Sequence, residues 1–491
     1  MNRRFRWSLA VAALLWGAAT PLVAQLRQDH VRVAQALELL EVWLDAQRDY
    51  NQIPGISAAV VHDQQVVWKG GFGYADLDRK VPATAETIYS ICSISKLFTS
   101  VAVMQLRDAG RLRLDDPLSK HLSWFSIHGA KPEEGPVTVE GILTHAAGLP
   151  RESDHSYWTG PEFPFPTSEE VRERIAGQEM LYPPETWFQY SNLGLTLAGE
   201  VVASASGTPY PEYVTRNILE PLGLASTTPE MPTTERGKRL ATGYGVLTRE
   251  GTRAPVPFFQ ARGIAPAAGF ASTALDLARF ASWQFRELAA KRGEILRAAT
   301  LREMHRIHWV DPDFETLWGL GFSVWRSGDK TFVGHGGSCP GYRTQLLLRP
   351  EERIATVFMA NAGGVNTGLY TQRMYAIVAP AILAALKDSV GKAPPPPPPP
   401  DSSLRAYVGI YGTQPWGAER AVVVWEDGLA AVGLPTMDPL ADLTKLRKVG
   451  DHTFRRVRKD GSLAEPIVFE MGTDGRAARM RWHQNYSPRV K

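Results

Sequence analysis

The chain of 491 residues is longer than one hydrophobic core usually sustains, so two or more domains are expected. Its 54 basic and 51 acidic residues nearly cancel to a formal charge of +3, and no long run of one sign is present to track a phosphate backbone, which argues against nucleic acid as a partner. Two cysteines, Cys92 and Cys339, are too few for a disulfide framework or a structural zinc site, and the sequence leaves their pairing open.

The chain opens with the cationic head Met1-Asn2-Arg3-Arg4-Phe5-Arg6, an apolar run from Trp7 to about Ala19 and small residues through Ala24. This pattern predicts a signal peptide over 1–24, cut after Ala24, and therefore a periplasmic or secreted protein. The alternative, an uncleaved anchor, is disfavoured because the run is short for a bilayer and Pro21 interrupts its end. Residues 25–390 then alternate strand-like runs with helical stretches. Strands are expected at Gly55 to His62, Gln65 to Tyr74, Gly321 to Arg326, Thr331 to Gly334, Thr344 to Arg349 and Ile354 to Ala360. Helices are expected at Ile94 to Asp108, Leu193 to Ala205 and Leu369 to Leu386. Hairpins at both ends of this region predict an α+β domain, with one mainly antiparallel sheet assembled from both termini and flanked by helices.

The prolines from Pro394 to Pro400 mark a linker over 391–402, an extended spacer of roughly 20 Å. After it, residues 403–491 carry short β runs at Tyr407 to Tyr411, Ala421 to Trp425, Thr453 to Arg455 and Ile467 to Glu470, with turn signals at Asp427-Gly428 and Asp474-Gly475. The spacing predicts a small all-β, barrel-like or sandwich domain. It either binds an apolar or sugar ligand or covers the mouth of the active site.

Three short motifs carry the chemistry. In Ser93-Ile94-Ser95-Lys96, a hydroxyl and an amine three residues apart at a helix start share one face, while Ser95 points elsewhere. A desolvated lysine has its pKa lowered enough to take the serine proton. Composition alone supplies about one or two such pairs in a chain this long, so the pair by itself says little. In Tyr190-Ser191-Asn192, a phenol able to share that proton stands beside an amide able to bind substrate or orient Lys96. Taken singly, this is an aromatic loop with a helix cap. In His335-Gly336-Gly337-Ser338, glycines at the end of a strand let backbone approach a substrate, and the N–H groups of Ser338 and Ser93 can form an oxyanion hole. Taken singly, this is a hairpin end with an incidental histidine.

Together and in this order, the three motifs make the chain resemble the serine β-lactamase and penicillin-binding-protein superfamily over roughly Ile53 to Ala385, nearest its class C and D-aminopeptidase-like branch. The segment Thr138 to Pro150 with its His145-Ala146-Ala147-Gly148-Leu149, and the stretches Pro221 to Leu224 and Gly269 to Leu277, match further parts of that branch. The resemblance implies a β-lactamase/transpeptidase-like fold and an acyl-enzyme on Ser93. Lys96 is then the base, Tyr190 the second proton-transfer group, and Asn192, His335, Gly337 and Ser338 the substrate-binding residues. It also implies a small-molecule or peptide substrate, with room for contact with the cell wall; no cofactor is expected, and no metal, since histidines such as His62 and His305 do not fall at metal-ligand spacing. The C-terminal domain resembles the lipocalin-like domains that follow many such hydrolases. His145 is expected to be structural, and the oligomeric state stays open.

One departure bears on substrate. Many β-lactamases and carboxypeptidases of the superfamily have Lys-Thr-Gly where this chain has His335-Gly336-Gly337. The cation and hydroxyl that hold a substrate carboxylate are missing, and a histidine of ordinary pKa is mostly neutral at pH 7. The expectation is therefore an esterase or D-amino-acid-specific peptidase, ahead of a carboxypeptidase or β-lactamase acting on cell-wall peptides or β-lactams. Two other readings compete. One is an α/β-hydrolase with its elbow at Gly336 to Pro340, weakened by the proline and by a position between hairpin strands. The other is a non-catalytic sensor of cell-wall fragments, weakened by the intact Ser93, Lys96 and Tyr190.

Overall fold

The computed structural model of the protein describes residues 30–389, 400–413, 415 and 417–491. The expected signal peptide and nearly all of the proline run lie outside the described residues. The larger unit is built on a nine-stranded sheet. Its long strands are β1 (Gly55–His62), β2 (Gln65–Asp76), β3 (Ser323–Ser327), β4 (Lys330–Cys339), β5 (Tyr342–Arg349) and β6 (Ile354–Ala360), in the spatial order β2-β1-β6-β5-β4-β3. Two-residue strands extend both edges. Strands from the two ends of the region meet where β1 pairs antiparallel with β6, Ile56 opposite Ala360 and His62 opposite Ile354.

Both β1 and β6 are buried along their whole length, because both faces of the sheet are covered. Their side chains divide by the pleat. Ile56, Ala58, Val60 and Phe358 join the core beneath α1 (Val31–Tyr50) and α6 (Thr367–Ser389). Ala59, Val61, Val357 and Met359 join the opposite core with α2 (Ser95–Asp108), α4 (Asn192–Ser206) and α5 (Ala274–Ala289). The short α3 (Val139–Thr144) packs on α4. Helix α2 is apolar or small nearly all round and sits inside this second core, with every residue from Ser95 to Met104 buried.

The smaller unit is an eight-stranded antiparallel meander: β7 (Gly409–Tyr411), β8 (Glu419–Trp425), β9 (Gly428–Leu434), β10 (Thr444–Gly450), β11 (Thr453–Val457), β12 (Leu463–Met471), β13 (Ala477–Trp482) and β14 (Asn485–Pro488). A bridge between Tyr411 and Arg489, with the Ile410 N–H donating to the Lys491 carbonyl at 2.9 Å, brings the last strand back to the first and nearly closes a barrel. This unit docks on the α1 and α6 side of the large sheet. Trp43 Nε1 donates to the Thr436 carbonyl at 2.9 Å, Gln35 and Glu426 exchange two bonds of 2.9 and 3.0 Å, and Arg373 pairs with Asp438 at 2.7 Å. The barrel therefore backs the sheet, and none of its described residues lines the cavity at Ser93, which counts against its expected role as a cover of the active-site mouth.

The sequence places β4 over Thr331 to Gly334 with its glycines at the strand end; the strand in fact runs on through Cys339. The glycines lie inside the ladder because the neighbouring segment crosses too near for a side chain. A Cβ on Gly337 would stand 2.1 Å from Thr344 Oγ1 and 2.2 Å from the Ile91 carbonyl. Ser338 thus lies within a strand opposite Arg343, away from any strand-to-helix turn, and the elbow of an α/β-hydrolase is absent here.

Candidate active site

Cys92–Ile94 form a 3₁₀ turn that feeds α2, so Ser93 stands at the mouth of the helix and Lys96 one turn inside it. Ser95 points the other way, as expected: its hydroxyl donates to the Cys92 carbonyl at 2.5 Å and accepts from the Phe270 N–H at 3.0 Å. Lys96 is fully buried. Its Nζ has three neighbours: Ser93 Oγ at 3.0 Å, Asn192 Oδ1 at 2.7 Å and the Ala267 carbonyl at 2.9 Å. Burial, the dominant cause, holds its pKa well below the ordinary lysine range; the Arg151 charge adds to this and Glu152 opposes it. A neutral amine has two N–H bonds and one lone pair. Once the amine has lost its proton, and with the two carbonyl oxygens taking its N–H bonds, its lone pair would face the Ser93 hydroxyl.

Tyr190 and Asn192 arrive on the loop that starts α4, capped by Ser191, whose Oγ accepts from the Gly194 N–H at 2.8 Å and donates to the Pro150 carbonyl at 2.6 Å. Burial raises the Tyr190 phenol above its ordinary pKa, while the Ser93 side chain hydrogen-bonds it and pulls the other way. Lys96 Nζ stands 4.8 Å and the Arg151 guanidinium 4.9 Å from the centroid of the Tyr190 ring. His145 caps the end of α3 in a left-handed conformation with φ of 60°. Its Nδ1 accepts from the Ser191 N–H at 3.1 Å and its ring lies 4.3 Å from that of Tyr190. It supports the tyrosine loop, the structural part the sequence predicts for it.

Ser93, Asn192 and Ser338 open on a cavity of about 410 Å³, which Arg151, Glu152, Trp158, Val246, Val256 and Arg343 also line. The segments 151–183 and 226–266, which carry no readable motif, thus supply much of its wall. His335 and Gly337 are buried beside the cavity and do not reach its surface. The His335 ring sits between Tyr190 and Trp318, with centroids 6.2 and 5.5 Å away. Its Nδ1–H donates to the Gly336 carbonyl at 2.6 Å. Burial, aided by the Lys96 charge, pushes its pKa down to about 3, so the imidazole is neutral for a stronger reason than an ordinary pKa.

Sequence reasoning misses Glu152, whose carboxylate accepts from Asn192 Nδ2 at 2.8 and 3.0 Å and from the Tyr157 hydroxyl. It also misses Arg343, whose Nη1 donates to the Cys339 and Tyr342 carbonyls at 2.8 Å each. The one available signal is the charged pair Arg151-Glu152 directly after the Gly148-Leu149-Pro150 turn. Cys92 and Cys339 form a disulfide, with Cα atoms 5.7 Å apart. Among the described residues, no cluster of His, Cys, Asp or Glu is arranged to hold a metal.

This architecture has known relatives. The Beta-lactamase family profile matches residues 40–379. Beta-lactamase-like protein 2 of Dictyostelium discoideum is 28% identical over 360 residues, which are 72% of this chain and 64% of that relative, so the chain spans a little under two thirds of its length. The octameric penicillin-binding protein homologue from Pyrococcus abyssi superposes with a TM-score of 0.61 at 26% identity, over 92% of this chain and 99% of that one. The D-amino acid amidase from Ochrobactrum anthropi SV3, solved with L-phenylalanine amide, gives 0.58 at 25% identity over 72% of this chain and 99% of that one. With a family match that runs over most of the chain and through every motif of the site, the chain belongs to the Beta-lactamase family and has its serine-hydrolase fold.

Proposed function

We propose that the protein is an exported serine hydrolase that cleaves an ester or amide bond through an acyl-enzyme on Ser93. The observation that carries this reading is the setting of Lys96, whose buried Nζ stands 3.0 Å from Ser93 Oγ and is held there by the Asn192 and Ala267 carbonyl oxygens at 2.7 and 2.9 Å. In acylation, Lys96 takes the Ser93 proton as Oγ attacks the carbonyl carbon. The N–H groups of Ser93 and Ser338 bind the developing oxyanion, and Tyr190 passes the proton on to the leaving group. Water then cleaves the acyl-enzyme with Lys96 and Tyr190 as bases. Asn192 holds Lys96 and offers its amide to the substrate, while His335 and Gly337 shape the binding strand from behind.

The cavity combines the Glu152 carboxylate, the Arg343 guanidinium and the apolar side chains of Trp158, Val246 and Val256. This mixture supports an amide or ester of a small, partly apolar amino-acid-like compound, in keeping with a D-amino acid amidase among the structural relatives. The class C and D-aminopeptidase-like branch, a lipocalin-like identity for the barrel, and a periplasmic or secreted location belong to the same proposal. Arg343 favours a second reading, a carboxypeptidase or β-lactamase, because it returns to the cavity a cation that the His335-Gly336-Gly337 motif lacks. Comparing kcat/KM for p-nitrophenyl esters, D- and L-aminoacyl p-nitroanilides and benzylpenicillin tests both. Turnover of the esters or D-anilides, abolished in Ser93→Ala, supports the first reading; preferred turnover of benzylpenicillin supports the second.

A further inference from the structure

The two backbone groups assigned above to the oxyanion hole come from chain segments almost 250 residues apart, and each is the immediate neighbour of a cysteine. Cys92 precedes Ser93, Cys339 follows Ser338, and the disulfide joins them across a separation of 247 residues. Both cysteines are buried, and the Ser90 hydroxyl lies 3.4 Å from Cys339 Sγ and 3.7 Å from Cys92 Sγ. Cys92 has a φ of 48°, in the left-handed region that a side-chain-bearing residue enters only where its surroundings hold it. The same junction has two further fastenings. The Thr344 hydroxyl donates to the Ile91 carbonyl at 3.2 Å, and the absence of a side chain on Gly337 lets that carbonyl approach β4.

We infer that the Cys92–Cys339 disulfide is a positioning clamp for the oxyanion hole. It fixes the distance between the Ser93 and Ser338 N–H groups by tying the turn before α2 to the end of β4. The inference rests on the proposed acyl-enzyme mechanism. Two donors held at the oxyanion's position act mainly in the transition state, so releasing the clamp lowers kcat and leaves KM nearly unchanged. Forming the bond removes two electrons and two protons from the two thiols; a disulfide-bearing oxidant accepts them and is itself reduced to a dithiol. A chain kept in a reducing compartment would carry the thiols and the slower oxyanion hole.

The test uses the full mature protein, with the disulfide established by intact mass under non-reducing conditions. Active sites are counted by fluorophosphonate titration, so that kcat refers to folded, reactive molecules only. Cys92→Ser/Cys339→Ser and dithiothreitol-reduced, alkylation-checked wild type are both measured on a p-nitrophenyl ester, since reduction requires no refolding of a variant. We expect kcat per titrated site to fall by about tenfold to a hundredfold in both, with KM within about twofold. An unchanged kcat per site, with only a lower Tm, would overturn the inference and make the bond a fold staple. Failure of the serine-hydrolase reading itself is distinguishable: oxidised wild type would then give no Ser93-dependent fluorophosphonate adduct.

Discussion

Lys96 Nζ lies 2.7 Å from the side-chain oxygen of Asn192, a residue 96 positions downstream. This contact holds the amine where it also meets Ser93 Oγ, at 3.0 Å. Replacing Asn192 with Ala removes an acceptor from a buried amine and frees it to rotate; kcat is expected to fall by about 10² or more, with a smaller effect on KM. Asn192→Asp keeps the shape and adds a negative charge beside Lys96. The charge favours the ammonium, so the base loses its proton only at higher pH, and the acidic limb of the kcat/KM profile should move upward. A pH-rate profile of the two variants checks both statements.

Glu152 and Arg151 act on Lys96 with opposite signs, Glu152 raising its pKa and Arg151 lowering it. Glu152→Gln should therefore move the acidic limb of kcat/KM to lower pH, and Arg151→Gln should move it to higher pH. Both substitutions keep a polar side chain of similar reach. Shifts in the same direction would show that the base reports something other than the Lys96 field.

Tyr190→Phe removes one hydroxyl and keeps the ring beside Lys96 and Arg151. If the phenol carries the proton to the leaving group, kcat should drop by about 10² to 10³ while KM changes only a few-fold. Steady-state kinetics on an amide substrate, whose leaving group needs the proton most, gives the clearest reading. An unchanged kcat would remove Tyr190 from proton transfer.

Away from the chemistry, burial raises the Glu230 carboxyl to about 8. One of its oxygens accepts from the Ala261 N–H at 3.0 Å and the other is buried without a partner. The folded state thus keeps a proton that the unfolded chain releases near its ordinary pKa. The corresponding stability is complete below about pH 4.5 and is lost as the pH rises to about 8. Glu230→Gln, neutral throughout, should gain on wild type by roughly 3 to 4 kcal/mol between pH 5 and pH 8, nearly three pH units at about 1.4 kcal/mol each. Urea unfolding at the two pH values measures the difference.

What was legible in the sequence was what is local. Ser93 and Lys96 meet because they sit three apart across a helix start, and Tyr190 and Asn192 because they share one capped loop; periodicity finds the helices and the hairpins. The continuation of β4 through Gly336 and Gly337 was not legible, because glycine there is dictated by the Ile91 carbonyl crossing close by, a contact between distant segments. Glu152 and Arg343 were hidden for a similar reason. Each is an ordinary surface-type residue until the fold aims it at Asn192 or into the cavity. The pairing of Cys92 with Cys339 and the docking of the barrel behind the sheet likewise depend on tertiary geometry that no spacing encodes.

The most direct test of the central claim is intact-mass analysis of the mature protein and of Ser93→Ala after incubation with a fluorophosphonate. One adduct per wild-type molecule and none on the variant is the expected result. Equal labelling of both proteins, or no labelling of a folded wild type, would contradict it.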